Sequence, residues 1–204
     1  MKHFIDLGTH YFHGTSYKNG LLLFEEQGYF GNCLPHPWHV YTLEPSIHAF
    51  QANKPFLPGI AERFASLKAV NAAVSDRDGT IEFRWCPANE AGSNCTGEHI
   101  AEVSEKGSIV YTVASLDIAS LTAQTIAGDV EAEIHIKCDI EGSEFVVLPR
   151  LLSMEGVESH VKAIFVEWHD RFWYGKSNHQ MILRAKTAIE AQCRNIGIDL
   201  HDWQ

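Results

Sequence analysis

The sequence predicts an α/β fold, a doubly wound and mostly parallel sheet, on three observations. Apolar runs of strand length alternate with helical patterns along the 204 residues. Each run starts apolar and turns polar at its carboxyl end. One of them closes on a dense charged string, Lys137-Cys138-Asp139-Ile140-Glu141-Gly142. Strands separated by helices pair in parallel beneath two helical layers, so their carboxyl ends share one edge. That edge is where open α/β sheets bind ligands.

The first strand is Lys2–Gly8, which stops at Asp6 and a glycine, and a helical pattern follows over Thr15–Gly28. The second strand, His39–Glu44, ends on an acidic residue ahead of Pro45, and a helix is expected over Ser46–Leu67. Ala69–Asp76 is the third strand. Asp76-Arg77-Asp78-Gly79 is a hairpin-turn signal, followed by Thr80–Trp85, a polar loop over Asn89–Lys106 and a returning strand over Ser108–Ala114. This reads as an inserted β-hairpin with a long tip, a kind of loop often used for function. In the fourth strand Ile134, Ile136, Cys138 and Ile140 alternate with His135, Lys137 and Asp139. A helix over Gly142–Leu152, a fifth strand over Ala163–His169 and a helix over Asn178–Ile196 complete the alternation. Ile198–Trp203 suffices for one more strand rather than a closing hairpin. Residues 1–204 are read as a single domain with a full core.

A net charge of −10 disfavours a nucleic-acid partner, whose affinity rests on Lys and Arg. The apolar runs are too short to cross a bilayer and no signal peptide precedes the first strand, so no membrane partner and a cytoplasmic location are expected. Cys33, Cys86, Cys95, Cys138 and Cys193 are odd in number and lack CxxC spacing, which fits reduced thiols. Twelve histidines raise the question of a metal. The pairs His10/His13 and His36/His39 lack the i, i+4 spacing of a zinc motif and no Cys/His quartet is present, so no metal is expected and activity should survive chelation.

The turn after the first strand, Asp6-Leu7-Gly8 with the later Gly14, suits close approach of a ligand to backbone at a helix start. Glu44 is placed to accept hydrogen bonds from ribose hydroxyls. NAD would require G-x-G-x-x-G beneath its pyrophosphate. Here the loop carries Thr9, His10, Tyr11, Phe12 and His13. S-adenosylmethionine has no pyrophosphate, and its cationic sulfonium suits Asp6 and Asp139. The adenosyl donor is therefore preferred.

Five strings together, Phe4–Gly8, Leu43-Glu44-Pro45-Ser46, Asn71–Gly79, Ser115-Leu116-Asp117 and Ile136–Glu144, resemble the FkbM-type methyltransferases in order and approximate spacing. The resemblance implies the Rossmann-like class I methyltransferase fold and S-adenosylmethionine-dependent O-methylation of a hydroxyl on a sugar or other small metabolite. Three departures accompany it: a delayed glycine in the first loop, the inserted Gly31–Trp38 and a short carboxyl terminus. A second subunit of a homo-oligomer is one source for a missing substrate lid.

By resemblance and position, Asp6 and Gly8 hold the methionine part of the donor and Glu44 the ribose, with Thr9, His10 and Gly14 as further cofactor-binding residues of the first loop. Ser75 and Asp76 lie at the adenine, and Asp139 faces the reacting methyl. Lys137 neutralises Asp139 or Glu141, as an ion pair or as a catalytic lysine. Glu141 and Glu144 sit at a helix start, where carboxylates are favoured by the dipole alone. Asp139, Glu141 and His169 are the catalytic candidates. His169 is expected as base with an unperturbed pKa and Asp139 as orienting group, the reverse staying open. Trp168, Phe172, Trp173 and Tyr174 are either a stacking wall for the acceptor or core aromatics. Two rival readings are a non-catalytic adenosyl-ligand binder and a nicotinamide-dependent oxidoreductase.

Overall fold

The computed structural model describes residues 1–12, 20–85, 99–100, 109–170 and 176–203. Along the chain it runs β1 (Lys2–Leu7), α1 (Gly20–Glu26), β2 (His36–Leu43), α2 (Ile47–Asn53), α3 (Leu57–Ala61), β3 (Phe64–Val70), β4 (Ala73–Ser75) and β5 (Gly79–Trp85). It continues with β6 (His99–Ile100), β7 (Ile109–Asp117), α4 (Ile118–Gly128), β8 (Glu133–Cys138), α5 (Glu144–Leu152), α6 (Val157–His160), β9 (Val161–Val166), α7 (His179–Ile196) and β10 (Asp199–Asp202).

Six strands form the central sheet in the order β10-β9-β8-β1-β2-β3, and every pairing in it is parallel. The carboxyl ends therefore share one edge, as the strand–helix alternation predicts. Alternation along β1 explains the two helical layers. Ile5 and Leu7 join a core with Ile134, Ile136, Val147, Leu148, Leu151 and Ile189, which takes in α5 and α7. Phe4 faces the other way, into an aromatic core with Leu21, Phe24, Phe30, Trp38 and Phe64, which takes in α1. Phe4 is wholly buried, its ring edge-on to Phe24 and Phe30 at 5.3 and 5.1 Å. Burying a side chain of that size contributes roughly 1.5–3 kcal/mol. No described helix is long and apolar enough to cross a membrane. Cys33, Cys138 and Cys193 are free thiols, Cys138 buried in β8 as its strand pattern requires.

The second sheet has the order β4-β7-β5-β6. Its β5–β7 pair is the inserted antiparallel hairpin, but the turn at Asp76–Gly79 does not join two paired strands. β7 lies between β4 and β5, parallel to the first and antiparallel to the second. Two other expected elements also differ. The helix over Ser46–Leu67 is two short helices: Ser46 caps α2 by accepting from Ala49 N, and Pro58 sits in the first turn of α3. The third strand starts at Phe64 and breaks at Asn71-Ala72, where the chain passes from one sheet to the other. There the Asn71 side-chain amide donates to the carbonyls of Glu44 (2.7 Å) and Pro45 (3.1 Å), holding the break against the end of β2. The loop over Asn89–Lys106 lies almost wholly outside the described residues.

Candidate functional site

Two loops cross at the carboxyl edge of the sheet. Gly8 has a φ of +79°, and a Cβ there would lie 1.8 Å from the carbonyl oxygen of Asp139. Glycine is required twice over, by the backbone angle and by the contact. The Gly8 and Thr9 amides both donate to Leu43 O at 3.1 Å, which fixes the first loop to the end of β2. His10 follows in a left-handed conformation (φ 55°), and its amide donates to Glu44 Oε2. Glu44 Oε1 accepts from Ser46 N at 2.8 Å. Glu44 is thus a buried carboxylate oriented by backbone on both sides, not a solvated residue ahead of a proline.

Beneath the crossing lies a buried ion-pair chain. Asp6 and Lys137 are register partners on adjacent strands, both essentially without exposure. Lys137 Nζ is 3.2 Å from Asp6 Oδ1 and 3.2 Å from Asp139 Oδ2, and it donates to Gly8 O at 2.6 Å. Its stem passes α1, where a Cβ on Gly20 would come within 3.0 Å of it, and its ammonium lies 5.2 Å over the Trp203 ring. Burial alone would depress the Lys137 pKa, but the carboxylates of Asp139 and Asp6 outweigh it and the pKa is raised. Burial pushes the Asp6 carboxyl up, with Lys137 opposing. The lysine serves the structural pairing, neutralising Asp6 and Asp139 rather than Glu141.

The loop after β8 brings the catalytic candidates together. Glu141 has a left-handed backbone (φ 53°), followed by Gly142 at φ 102°, so the chain turns sharply before α5. Glu144, on the first turn of α5, reaches back to accept from Ile140 N (3.1 Å), Gly142 N (3.2 Å) and His169 Nδ1 (2.8 Å). It does more than complement a dipole: it holds the loop and the imidazole at once. On the other side of the ring, His169 Nε2 lies 3.4 Å from Glu141, 3.5 Å from Glu167 and 3.8 Å from Asp139.

This setting corrects the expectation of an unperturbed histidine. Burial works to lower the His169 pKa, but the hydrogen bond to Glu144 and the charges of Glu144, Glu141 and Asp139 push it up to about 9. Burial pushes the Glu141 carboxyl up to about 8, with His169 opposing and Asp139 reinforcing. The surrounding carboxylates thus favour the protonated ring, which weakens it as a base. The same groups also meet the geometry of a metal-ligand set that sequence spacing does not mark. One ligand atom from each of Asp139, Glu141 and His169 lies within 4.8 Å of the others. His169 comes from β9 and the carboxylates from the β8 loop, so no local spacing could reveal the set. Of the flagged histidines, His36 faces Glu25 and His39 faces Ser66, and His13 lies outside the described residues.

Asp6, Gly8, Thr9, His10, Glu44, Asp139, Glu141 and His169 thus gather at one edge. Thr9 is buried, its hydroxyl 3.3 Å from Leu43 O, and His10 lies in the field of Asp139 and Lys137. Ser75 and Asp76 lie in the second sheet and the turn after it, where the Ser75 hydroxyl donates to Asp76 and Asp76 faces Arg77 at 3.4 Å. Gly14 lies outside the described residues, as do Phe172, Trp173 and Tyr174. Trp168 is buried and stacked on Phe145 at 5.5 Å, a core aromatic rather than a wall for an acceptor. Glu144 and Trp203 are the contributors that sequence reasoning left without a role at the site.

Compared with known families, residues 10–188 match the model described as "Methyltransferase FkbM domain". The match starts after Asp6, Gly8 and Thr9. No curated protein and no solved structure matches the chain significantly.

Proposed function

The chain belongs to the FkbM methyltransferase family, and from that premise we propose that it transfers the methyl group of S-adenosylmethionine to a hydroxyl of a sugar or other small metabolite. The observation that carries the reading is the crossing of the Gly8 loop over Asp139, with Glu44 fixed beside it. It gathers a close backbone approach, a pre-oriented carboxylate and a net acidic edge in one place. A carboxylate oxygen accepts more than one hydrogen bond, which suits Glu44 to the two ribose hydroxyls. A sulfonium gains from the nearby carboxylates, whereas a pyrophosphate would be repelled by them.

In this reading Gly8, Thr9, His10 and Gly14 border the methionine part of the donor. Asp6 has no exposed surface and acts through Lys137, which holds Gly8 O and Asp139 in place. Ser75 and Asp76 are assigned to the adenine side and Asp139 to the methyl. Asp139, Glu141 and His169 receive the acceptor hydroxyl. Methyl transfer is an in-line displacement, and most of what the protein supplies is position. The unit acts as one domain in the cytoplasm, without a nucleic-acid or membrane partner.

The test is calorimetric titration with S-adenosylhomocysteine, S-adenosylmethionine and NAD, followed by mass spectrometry of candidate acceptors for a gain of one methyl. Binding of the adenosyl ligands with methylation of a hydroxyl supports the proposal. NAD binding without response to the adenosyl ligands would overturn it. Binding without methylation of any offered acceptor, together with no hydrolysis or transfer from the donor, would favour a non-catalytic binder.

A further inference from the structure

The Asp139–Glu141–His169 cluster has the construction of a cation site. We propose that Asp139 Oδ1, Glu141 Oε2 and His169 Nε2 bind one divalent cation of the magnesium–manganese class. Its further role, binding the acceptor hydroxyl and easing loss of its proton, rests on the methyl-transfer reading above.

Spacing is the first argument. Ligands at about 2.1 Å from an octahedral cation stand roughly 3.0 Å apart when adjacent and 4.2 Å apart when opposite. His169 Nε2 lies 3.4 Å from Glu141 Oε2 and 3.8 Å from Asp139 Oδ1, between those limits. Asp139 and Glu141 offer oxygens within 4.8 Å of each other, so a closure of roughly half an ångström brings all three donors onto one ion.

The second argument is independent of spacing. Metal-binding histidines characteristically give their other ring N–H to a carboxylate, which fixes the tautomer and turns the remaining lone pair to the metal. His169 Nδ1 is 2.8 Å from Glu144 Oε1, and Glu144 is fully buried and anchored by two backbone amides. That leaves Nε2 facing the carboxylates. Glu141 Oε2 is itself buried with no hydrogen-bond partner, a state that costs stability and that a cation would relieve. Among the described residues of this cluster, the carboxylates of Asp6, Asp139, Glu141 and Glu144 are paired with Lys137 and His169, so carboxylates outnumber the cations they share.

Oxygen donors with a single imidazole favour magnesium or manganese over zinc, which prefers sulfur and nitrogen. Three protein ligands leave about three octahedral positions for water and the acceptor oxygen. On binding, the cation takes the Nε2 lone pair and any proton on Nε2 passes to solvent. At the cation an acceptor hydroxyl loses its proton to solvent more readily, as metal-bound water does, and its oxygen then takes the methyl while the donor sulfur leaves as the neutral thioether. His169 is then a ligand and not the base.

The experiment is titration of the full chain with Mn²⁺ alone, read by loss of the free-ion electron paramagnetic resonance signal. One ion should bind per chain. Glu141→Gln and His169→Asn should lose most of that affinity, and Glu144→Gln should lose about 10–100-fold by releasing the ring. Thermal melts verify that each variant is folded. Should the variants fail to fold, Mn²⁺ added to the wild type should broaden the His169 ring resonance selectively, which needs no substitution. No bound Mn²⁺, or binding that Glu141→Gln leaves intact, or an unbroadened His169 resonance, overturns the proposal. Neither donor nor acceptor is present, so failure here leaves methyl transfer standing, and a methyl-transfer failure leaves this binding result standing.

Discussion

Replacing Gly8 with alanine puts a methyl carbon 1.8 Å from the carbonyl oxygen of Asp139. Carbon–oxygen contacts settle at about 3.3–3.6 Å, so the two loops must part by roughly 1.5 Å. Neither has slack. Gly8 N is tied to Leu43 O at 3.1 Å and Gly8 O to Lys137 Nζ at 2.6 Å. Relief therefore breaks at least one of these bonds. The charge-assisted one contributes about 1.5–3 kcal/mol. Holding a non-glycine residue at φ +79° adds about 1–3 kcal/mol. Together they predict about 3–6 kcal/mol, a fall in Tm of roughly 6–24 °C for a chain of this size. A displacement of this size at the donor loop should also cost binding, since misplacement by ~1 Å already costs about 100-fold in positioned reactions. The assay is a thermal melt beside calorimetric titration with S-adenosylhomocysteine. An alanine variant that melts within a degree or two of wild type and binds the ligand equally would refute the crossing-loop account.

Lys137→Met should destabilise by about 3–5 kcal/mol, because it leaves Asp6 and Asp139 buried or half-buried without their counter-ion. Adding Asp6→Asn should recover a good part of that loss, and denaturant melts of the double-mutant cycle would show additivity if the pairing were unimportant. Asp117 caps α4 through Ala119 N at 2.9 Å and takes a two-pronged bond from Arg150, so Asp117→Asn should cost about 1–2 kcal/mol at pH 7. Arg150 holds the Asp117 carboxyl below its ordinary range. That stabilisation is present above the ordinary carboxylate pKa of about 4 and is lost as pH falls through the lower folded value, so the gap between wild type and variant should narrow below about pH 4. A gap that stays constant from pH 7 to pH 3 would contradict the assignment.

Much of the fold was legible because strand period and polar strand ends are local signals. The parallel edge and the burial of Cys138 both followed from them, whereas the order of strands within the sheet was not read from the sequence. The third strand was misplaced because Asn71-Ala72 breaks it through hydrogen bonds to the β2 end, a contact that no local pattern encodes. The turn at Asp76–Gly79 likewise looked like a hairpin until β7 was found between its arms. At the site, the K-x-D-x-E string marked the right loop and charge cost foretold the pairing of Lys137. Glu144 was harder to read. At a helix start a glutamate needs no further explanation, and only its bond to a histidine from β9 gives it one. The shifted His169 pKa has the same origin, in carboxylates that converge from β8, β9 and α5.

The central claim is that the edge bounded by Gly8, Glu44 and Asp139 holds an adenosyl donor, and the titration of wild type and Glu44→Ala with S-adenosylhomocysteine and with NAD tests it most directly. The account predicts that the wild type binds S-adenosylhomocysteine and not NAD. It also predicts that Glu44→Ala weakens this by about 1–3 kcal/mol while remaining folded, because the ribose hydroxyls then lack their acceptor. Binding of NAD in preference to S-adenosylhomocysteine, or adenosyl-ligand binding that Glu44→Ala leaves unchanged, would contradict it.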